Sequence, residues 1–549
     1  MKKKINIYGA GISGLTIAFE LAKYNKQFQI NIYEKEEIVG GMARSIRNNK
    51  GISSEHSLRA FGANYNNLFD IMKNIPINKN QTTFDNLIPR HYFKLFYNKS
   101  TNDIPHLSFY DKIYIFYLYT KYISSNNRSY YNIKIEPLLK NNLTKFGYDY
   151  MVKTLIGPGF GFSISTASIG HSFDLINIRT NSLKNNEKSF SHSTDLANLY
   201  FLNQPTNEGL IDYWYQFLID AGVIFHFNTN LTKINYHNNN IINCIINNKE
   251  LIYADEHIIC INPFLIPKIF INSNLFSLAK SYDSLNYINN QIGFKIGFNI
   301  KLQVDTHNTP IILIDSSFGI ILSQQDSLWN DTVKLDNDNM LKSIWSGCCS
   351  DTQTPGKLYN KTLIMLNKNE LKEEIISQIF ESESLVKYFK NIDTNFDVNS
   401  IVYFDIFKDF TETNNNKFLP QLKSNNPKFV DNVWNQNFKP NNKTNFNNLY
   451  ISGAHTKTTT NIYLMESACE SGKLTANILL NKYNLPISKI YKHNQKNLFT
   501  SFLSFFDDIL YYFNLYNIID IILLLLSFVL LLYLKYIITK YVLQYNNKK

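Results

Sequence analysis

Apolar residues enter the chain as a short run, Ile5-Asn6-Ile7-Tyr8, which stops at Gly9-Ala10-Gly11-Ile12-Ser13-Gly14. Beyond the glycines, residues 15–22 repeat their apolar positions at helical spacing, and after a polar gap Gln29-Ile30-Asn31-Ile32-Tyr33 runs up to Glu34. This pattern predicts a strand, a glycine turn, a helix and a second strand ending in an acid. Farther on it predicts a helix through Leu68, Ile71, Met72 and Ile75, an aromatic-rich helix over residues 107–123, and a helix carrying Leu210, Trp214, Phe217 and Leu218. Residues 221–227 read as a strand that residues 229–234 continue, residues 238–240 as a hairpin loop, and residues 256–263 as a buried strand ending at a turn. Residues 448–455 read as a strand ending in glycine, and the asparagine runs at 414–416 and 441–442 as polar loops. Residues 518–534 are apolar except for Asp520, Ser527 and Tyr533; carried past Lys535 to Ile538, they reach about twenty residues, the length of a bilayer span.

The amino-terminal turn has the chemistry of a dinucleotide cradle. Gly9 lets the chain turn tightly off the strand, Gly11 lets a pyrophosphate approach the backbone, and Gly14 lets the helix pack close to the sheet. The helix start at Ile12 and Ser13 offers free N–H groups and partial positive charge to that pyrophosphate. Glu34 follows Gly14 by twenty residues, where an acid hydrogen-bonds ribose hydroxyls. A glycine-rich turn of some other βαβ unit is the alternative; the preceding strand, the following helix and the spaced acid favour the dinucleotide. Gly40-Gly41 opening toward Arg44 reads as a second nucleotide-facing loop, with close backbone approach at the glycines and a phosphate-neutralising guanidinium beyond.

Composition narrows the classes. A chain of 549 residues, 44% hydrophobic, suits two or more domains or one large discontinuous one. The net charge of +11 comes from lysines scattered among Asn and Ile, which favours a mildly cationic surface and argues against nucleic acid as a partner. Five cysteines without a CxxC suggest neither a disulfide framework nor a metal site, and fit a reducing compartment. The vicinal Cys348-Cys349 pair lacks an activating context, so a structural role is preferred to a redox one. Lys2, Lys3 and Lys4 before an apolar run imitate a signal peptide, but glycines break the run. The loop at 156–161 is read as structural, because no helix start follows it. Asp111 and Lys112 argue against a membrane crossing at 107–123, leaving a buried or membrane-facing helix.

The combination of Gly9–Gly14, Glu34 and Gly40-Gly41 resembles the FAD-binding head of the flavin-containing amine oxidase and phytoene desaturase superfamily. The stretch EHSLRAFGANYNNLFDIMKNIP at 55–76 is similar to its desaturase and hydroxysqualene-processing members. The resemblance implies an α/β fold: a glutathione-reductase-like FAD-binding Rossmann domain, an inserted mixed α+β substrate domain and a C-terminal membrane helix. It implies FAD held non-covalently, since no cysteine precedes the closing motif where monoamine oxidases attach theirs. It brings Glu55, His56 and Arg59 beside the flavin ring; from the residues alone they equally form a surface capping cluster with a salt bridge. It sets the backbone of Leu231 or Thr232 against the adenine and reads residues 311–331 as strand-turn-strand. It takes residues 448–455 and 464–476 as the closing flavin motif, with Gly453 at the diphosphate or ribityl chain and the amides from Met465 and Glu466 near the pyrimidine edge. His455 is read as a satisfied strand-end histidine, with a flavin neighbour as the alternative. Met42 departs from the arginine that many members carry, with Arg44 compensating, and Lys295 is the candidate for the flavin-facing lysine.

These readings divide the chain into FAD-binding parts at 1–100, 201–263 and 447–485, substrate-domain parts at 101–200 and 264–446, and a membrane-anchoring tail at 486–549. The tail reads as a span with interfacial tyrosines (Tyr512, Tyr516, Tyr533, Tyr536, Tyr541) preceded by an amphipathic surface stretch at 502–513. A monotopic anchor and a buried C-terminal helix are the alternatives. Such an anchor leaves the flavin domain cytosolic. The expected reaction is hydride removal from a C–H bond to FAD, with reoxidation by oxygen or a quinone. The anchor and the aromatic content favour a lipophilic, isoprenoid- or polyene-like substrate over an amine. A flavin amine oxidase and a non-catalytic flavin-binding membrane protein are the alternatives, and the oligomeric state is left open.

Overall fold

The computed structural model describes residues 2–55, 59–90, 94–96, 107–156, 164–180, 199–285, 291–304, 310–407, 429–493 and 496–546. The chain opens with β1 (Lys3–Tyr8), α1 (Ile12–Ala22) and β2 (Phe28–Tyr33), as the apolar pattern predicts. Helices α2 (Asn66–Met72), α3 (Phe109–Ile123) and α4 (Ile169–Thr180) follow. The chain then returns as β3 (Ile224–His226), a hairpin of β4 (Leu231–His237) and β5 (Asn240–Ile246), and β6 (Glu256–Ile259). Next come β7 (Gly293–Phe298), β8 (Ile311–Leu313), β9 (Ile320–Gln324) and β10 (Ser343–Cys349), then β11 (Leu449–Ile451) and α5 (Met465–Lys482). Helices α6 (Leu498–Tyr512) and α7 (Ile518–Asn546) lie last.

The nucleotide-type sheet has the order β11-β6-β1-β2-β3, with every neighbouring pair parallel. The chain winds outward through β1, β2 and β3, then returns to the other side of β1. This leaves a switch point between β1 and β6, and in such sheets ligands bind outside the carboxyl ends of the strands there. Both faces are covered. Ile5 and Ile7 pack with Leu15, Phe19, Trp214 and Leu479, whereas Tyr8, Tyr33 and Ile259 face Leu231, Ile246 and Phe270. Burial on two sides explains strands that are apolar almost throughout.

A second, six-stranded sheet runs Ile401–Ile406, β7, β10, β9, β8, Lys94–Phe96, antiparallel except for the last pair. Helices Lys368–Glu381 and Glu383–Lys390 bring Leu371, Ile375 and Phe389 against Trp345 and Phe294. The predicted strand-turn-strand at 311–331 is the hairpin of β8 and β9. Both residues of the Cys348-Cys349 pair are buried, and all five cysteines are free thiols.

Three expectations need correction. Residues 229–234 do not continue the strand before them: Asn228 takes a left-handed φ of 54°, and β4 starts a separate three-stranded antiparallel sheet. Asn tolerates that conformation, so the break looks like any polar position in the sequence. Asn442 is not a solvated loop residue but lies buried among Ile451, Ser471 and Thr475. The reading of the tail as a buried helix also fails: the 26-residue stretch Ile518–Leu543, of mean hydropathy 2.7, is 0% buried. The hairpin at 238–240 stands as expected, with Asn238 and Asn239 both at positive φ, as a tight hairpin turn requires. Of the loop at 156–161, residues 157–161 lie outside the described residues, as do Asn414–Asn416.

Candidate functional site

The two glycine turns meet at the switch point. Gly9 has φ +111°, and a Cβ there would stand 2.5 Å from the Cys260 carbonyl oxygen, so only glycine makes this turn. Gly40 N–H donates to Ala10 O at 2.9 Å and Gly11 bridges Gly40, which seals the second turn against the first. A Cβ on Gly11 would meet only Gly41 Cα, at 3.9 Å, so the space over Gly11 is open to a ligand. No side chain caps the first turn of α1, whose residues Ile12, Ser13 and Gly14 therefore present backbone amides to that space.

Glu34 lies where the spacing puts it, at the end of β2. Its Oε2 accepts from Ala10 N–H at 2.7 Å and its Oε1 from Glu36 N–H at 3.0 Å. Burial raises its pKa against the pull of those two bonds. The chain after β3 touches the same corner, since Thr229 N–H donates to Glu34 O at 2.8 Å. Leu231, two residues on, is buried opposite Ile246, and Thr232 Oγ1 donates to Ile245 O at 3.0 Å.

Arg44 is buried; its Nη1 donates to Gly41 O at 2.9 Å, while its Nε is enclosed without a partner among the described residues. Arg59 Nη2 donates to Met42 O at 3.2 Å, and its Nε is likewise enclosed with no partner among the described residues. Burial lowers the Arg59 pKa and the Glu55 carboxylate opposes the shift. Glu55 is 4% exposed and accepts from Thr206 N–H at 3.0 Å and Thr206 Oγ1 at 2.7 Å, so a surface cluster is not what these residues form. His56 lies outside the described residues. Lys295, on β7 of the other sheet, comes within electrostatic reach of Glu55. Its Nζ donates to Gln325 Oε1 and lies 5.6 Å from the Trp329 ring centroid. Burial lowers its pKa to about 8, against the attraction of Glu55.

The carboxy-terminal closing segment is held by a hydroxyl network. Ser13 Oγ pairs with Ser452 Oγ at 2.6 Å, Ser452 with Ser471 at 2.9 Å, and Gly453 N–H donates to Ser471 Oγ at 2.9 Å. The first turn of α1 and the end of β11 are thus tied side by side. Met465 begins α5, but the Glu466 carboxylate turns away: it accepts from Asn67 N–H at 2.9 Å and Leu68 N–H at 3.0 Å at the start of α2, and pairs with His493 Nε2 at 2.7 Å. Glu466 can offer a ligand its backbone and not its charge. His455 is not satisfied among the described residues: its Nε2 is buried without a partner there, and burial pushes its pKa down to about 3. Its ring lies against Gly453, where an added Cβ would fall 2.7 Å away.

The sequence reading missed the residues that hold the loop between Gly453 and α5. Lys439 Nζ pairs with Asp431 at 2.7 Å, both side chains fully buried, and donates to Asn461 O at 2.7 Å. Asn461 Nδ2 donates to Tyr131 OH at 2.9 Å, and Tyr131 OH donates to Asp174 at 2.7 Å. Burial raises Asp174 to about 7 against the hydrogen bonds of Tyr122 and Tyr131. No local pattern marks these positions, since each partner comes from a distant part of the chain.

Residues 7–75 match the family model of an NAD(P)-binding Rossmann-like domain. The chloroplastic/chromoplastic zeta-carotene desaturase of Capsicum annuum is 34% identical over 98 residues, 18% of this chain. The match spans 15% of that desaturase's length. Among solved structures, putrescine oxidase bound to putrescine superposes over 88% of this chain and 99% of its own, with a TM-score of 0.61 at 11% identity. A putative protoporphyrinogen oxidase from Exiguobacterium covers 88% and 99%, with a TM-score of 0.55 at 13% identity. The matched segment is thus of the NAD(P)-binding Rossmann-like kind, and the chain shares its fold with these oxidases. FAD is consistent with these likenesses, and the residues fit a dinucleotide of that kind. The open space over Gly11 would take a diphosphate, the uncapped α1 and the Nε of Arg44, without a partner among the described residues, would supply donors, and Glu34 would supply the acid for the ribose.

Proposed function

We propose that this chain is an FAD-dependent oxidoreductase that removes hydride from a C–H bond of a lipophilic substrate, with oxygen or a quinone as the final acceptor. The observation that carries the reading is the convergence of both glycine turns, the first turn of α1 and the end of β11 on one switch point. When bound, FAD supplies the hydride acceptor. The α1 amides and Arg44 would hold the diphosphate, Glu34 the ribose, and the α5 amides the pyrimidine edge. Lys295, whose amine pKa is lowered by burial to about 8 and which so exchanges its proton near that pH, would hold or release a proton at Nζ on the substrate side. The residues between the nucleotide-sheet segments, with the six-stranded sheet, form the substrate domain, and α7 anchors the chain in a membrane. Five free thiols suit a body on the cytosolic side.

A lipophilic substrate is supported by α3. Its outer side exposes Phe109, Tyr110, Ile113 and Phe116. Its inner end places Tyr122 on Asp174, the residue linked through Tyr131 to Asn461 in the loop before α5. One helix therefore joins an apolar surface to the cofactor-side loop. Anaerobic mixing with a panel of isoprenoid, polyene and amine donors tests the proposal. Bleaching of the visible flavin band by the polyene class is expected. Bleaching by amines alone would make the chain an amine oxidase, and no bleaching by any donor would leave only a flavin-binding protein.

A further inference from the structure

Helix α6 is built inside out. Its enclosed residues are Leu503, Ser504 and Asp507, whereas Phe499, Phe502, Phe505 and Tyr512 are 67%, 60%, 60% and 82% exposed. Helix α3 shows the same inversion: Asp111 is buried, while Phe109 and Phe116 are 80% and 67% exposed. A helix whose apolar side faces away from its own protein has that side matched to a different medium.

The two helices and the root of α7 are fastened to a single turn. Buried Asp507 accepts from Ser125 Oγ at 2.6 Å, from Arg128 Nε at 3.0 Å and from Ile518 N–H at 2.9 Å. Arg128 Nη2 also donates to Leu515 O at 2.8 Å, and Asn517 Nδ2 to Ser125 Oγ at 2.8 Å. One turn farther, Asp520 of α7 pairs with Lys121 of α3 at 2.8 Å and accepts from Tyr117 OH at 2.6 Å. The apolar stretch of α7 is 26 residues long. At about 1.5 Å per residue this exceeds the roughly 30 Å of bilayer hydrocarbon. A span of that length puts Asp520 and its partners at the headgroup level, and with them the exposed faces of α3 and α6.

From this we propose that α3 and α6 lie in the membrane surface as a pair of interfacial helices flanking the root of α7, so that the body docks on the bilayer through three helices rather than hanging from one. The proposal rests on the membrane attachment of α7. The occupant is a lipid surface because the helices that carry the exposed aromatics are fastened through Asp507 and Asp520 to the root of α7, whose apolar length is itself exposed.

Spin labels on the full chain in vesicles of equal parts phosphatidylcholine and phosphatidylglycerol test this. Labels are placed at Phe116→Cys, Phe502→Cys and Phe505→Cys, with Leu530→Cys on α7 and Val402→Cys on the second sheet as references. All five positions are exposed, so the variants leave the core intact. Positions 116, 502 and 505 are expected to favour collision with oxygen over a water-soluble nickel chelate several-fold more than position 402. If they match position 402 while 530 is in lipid, α7 alone makes the attachment and the proposal is overturned. If 530 also matches 402, the membrane attachment itself fails. Labels shielded from both agents would mean that protein covers the face, which equally overturns the proposal.

Discussion

Glu34 commits both carboxylate oxygens to backbone amides, so its removal has two effects: the ribose loses its acceptor and Ala10 N–H is left buried without one. We expect Glu34→Ala to weaken FAD binding by about 10- to 100-fold, equivalent to about 1–3 kcal/mol for a hydrogen-bonding group so enclosed. Flavin titration of the apoprotein measures it, and unchanged affinity would remove Glu34 from the site. Lys295 gives a pH prediction with a definite sign. Folding lowers its pKa to about 8, whereas a free lysine lies near 10.4. Between those values the unfolded chain holds the proton that the folded chain has released, so this group's contribution to stability rises with pH across that window. The wild type should therefore gain stability relative to Lys295→Met between about pH 8 and pH 10 by denaturant midpoint, and the pH–rate limb near 8 should vanish in the variant. Glu34 was legible because its role depends on a local spacing. Lys295 and Glu55 were each named only by resemblance, and their electrostatic proximity was not foreseen, because no periodicity links a strand of one sheet to a strand beside the other.

At the scale of elements, α1 and α5 approach closely where Gly472 faces Thr16; a Cβ there would lie 2.6 Å from Thr16 Cβ and 2.9 Å from Ser13 O. Gly472→Val should overpack this contact, costing about 1–3 kcal/mol and releasing flavin at lower temperature, as followed by thermal unfolding with flavin fluorescence. The α6 clamp makes a second prediction. Asp507→Ala leaves Arg128 without its buried partner, and losses of about 3–5 kcal/mol are usual for such breaks. Limited proteolysis should then cut first within residues 498–517. The opening strand, turn and helix, and the asparagine hairpin, were readable because their signals lie within one window. The break at Asn228 was not, since a left-handed asparagine has no apolar signature, and Asn442 was misread because polarity does not report enclosure.

For the whole molecule, the central feature is a parallel sheet gathered from three separated parts of the chain around one switch point. The sequence indicated its first and last strands by their glycines, whereas the six-stranded sheet, whose strands pair across long intervals, was visible only in one hairpin. The most direct test of the account is the visible absorption spectrum of the detergent-purified full chain, before and after incubation with FAD. A flavin spectrum approaching one FAD per chain is the predicted result; a colourless protein that takes up no added FAD would contradict the account.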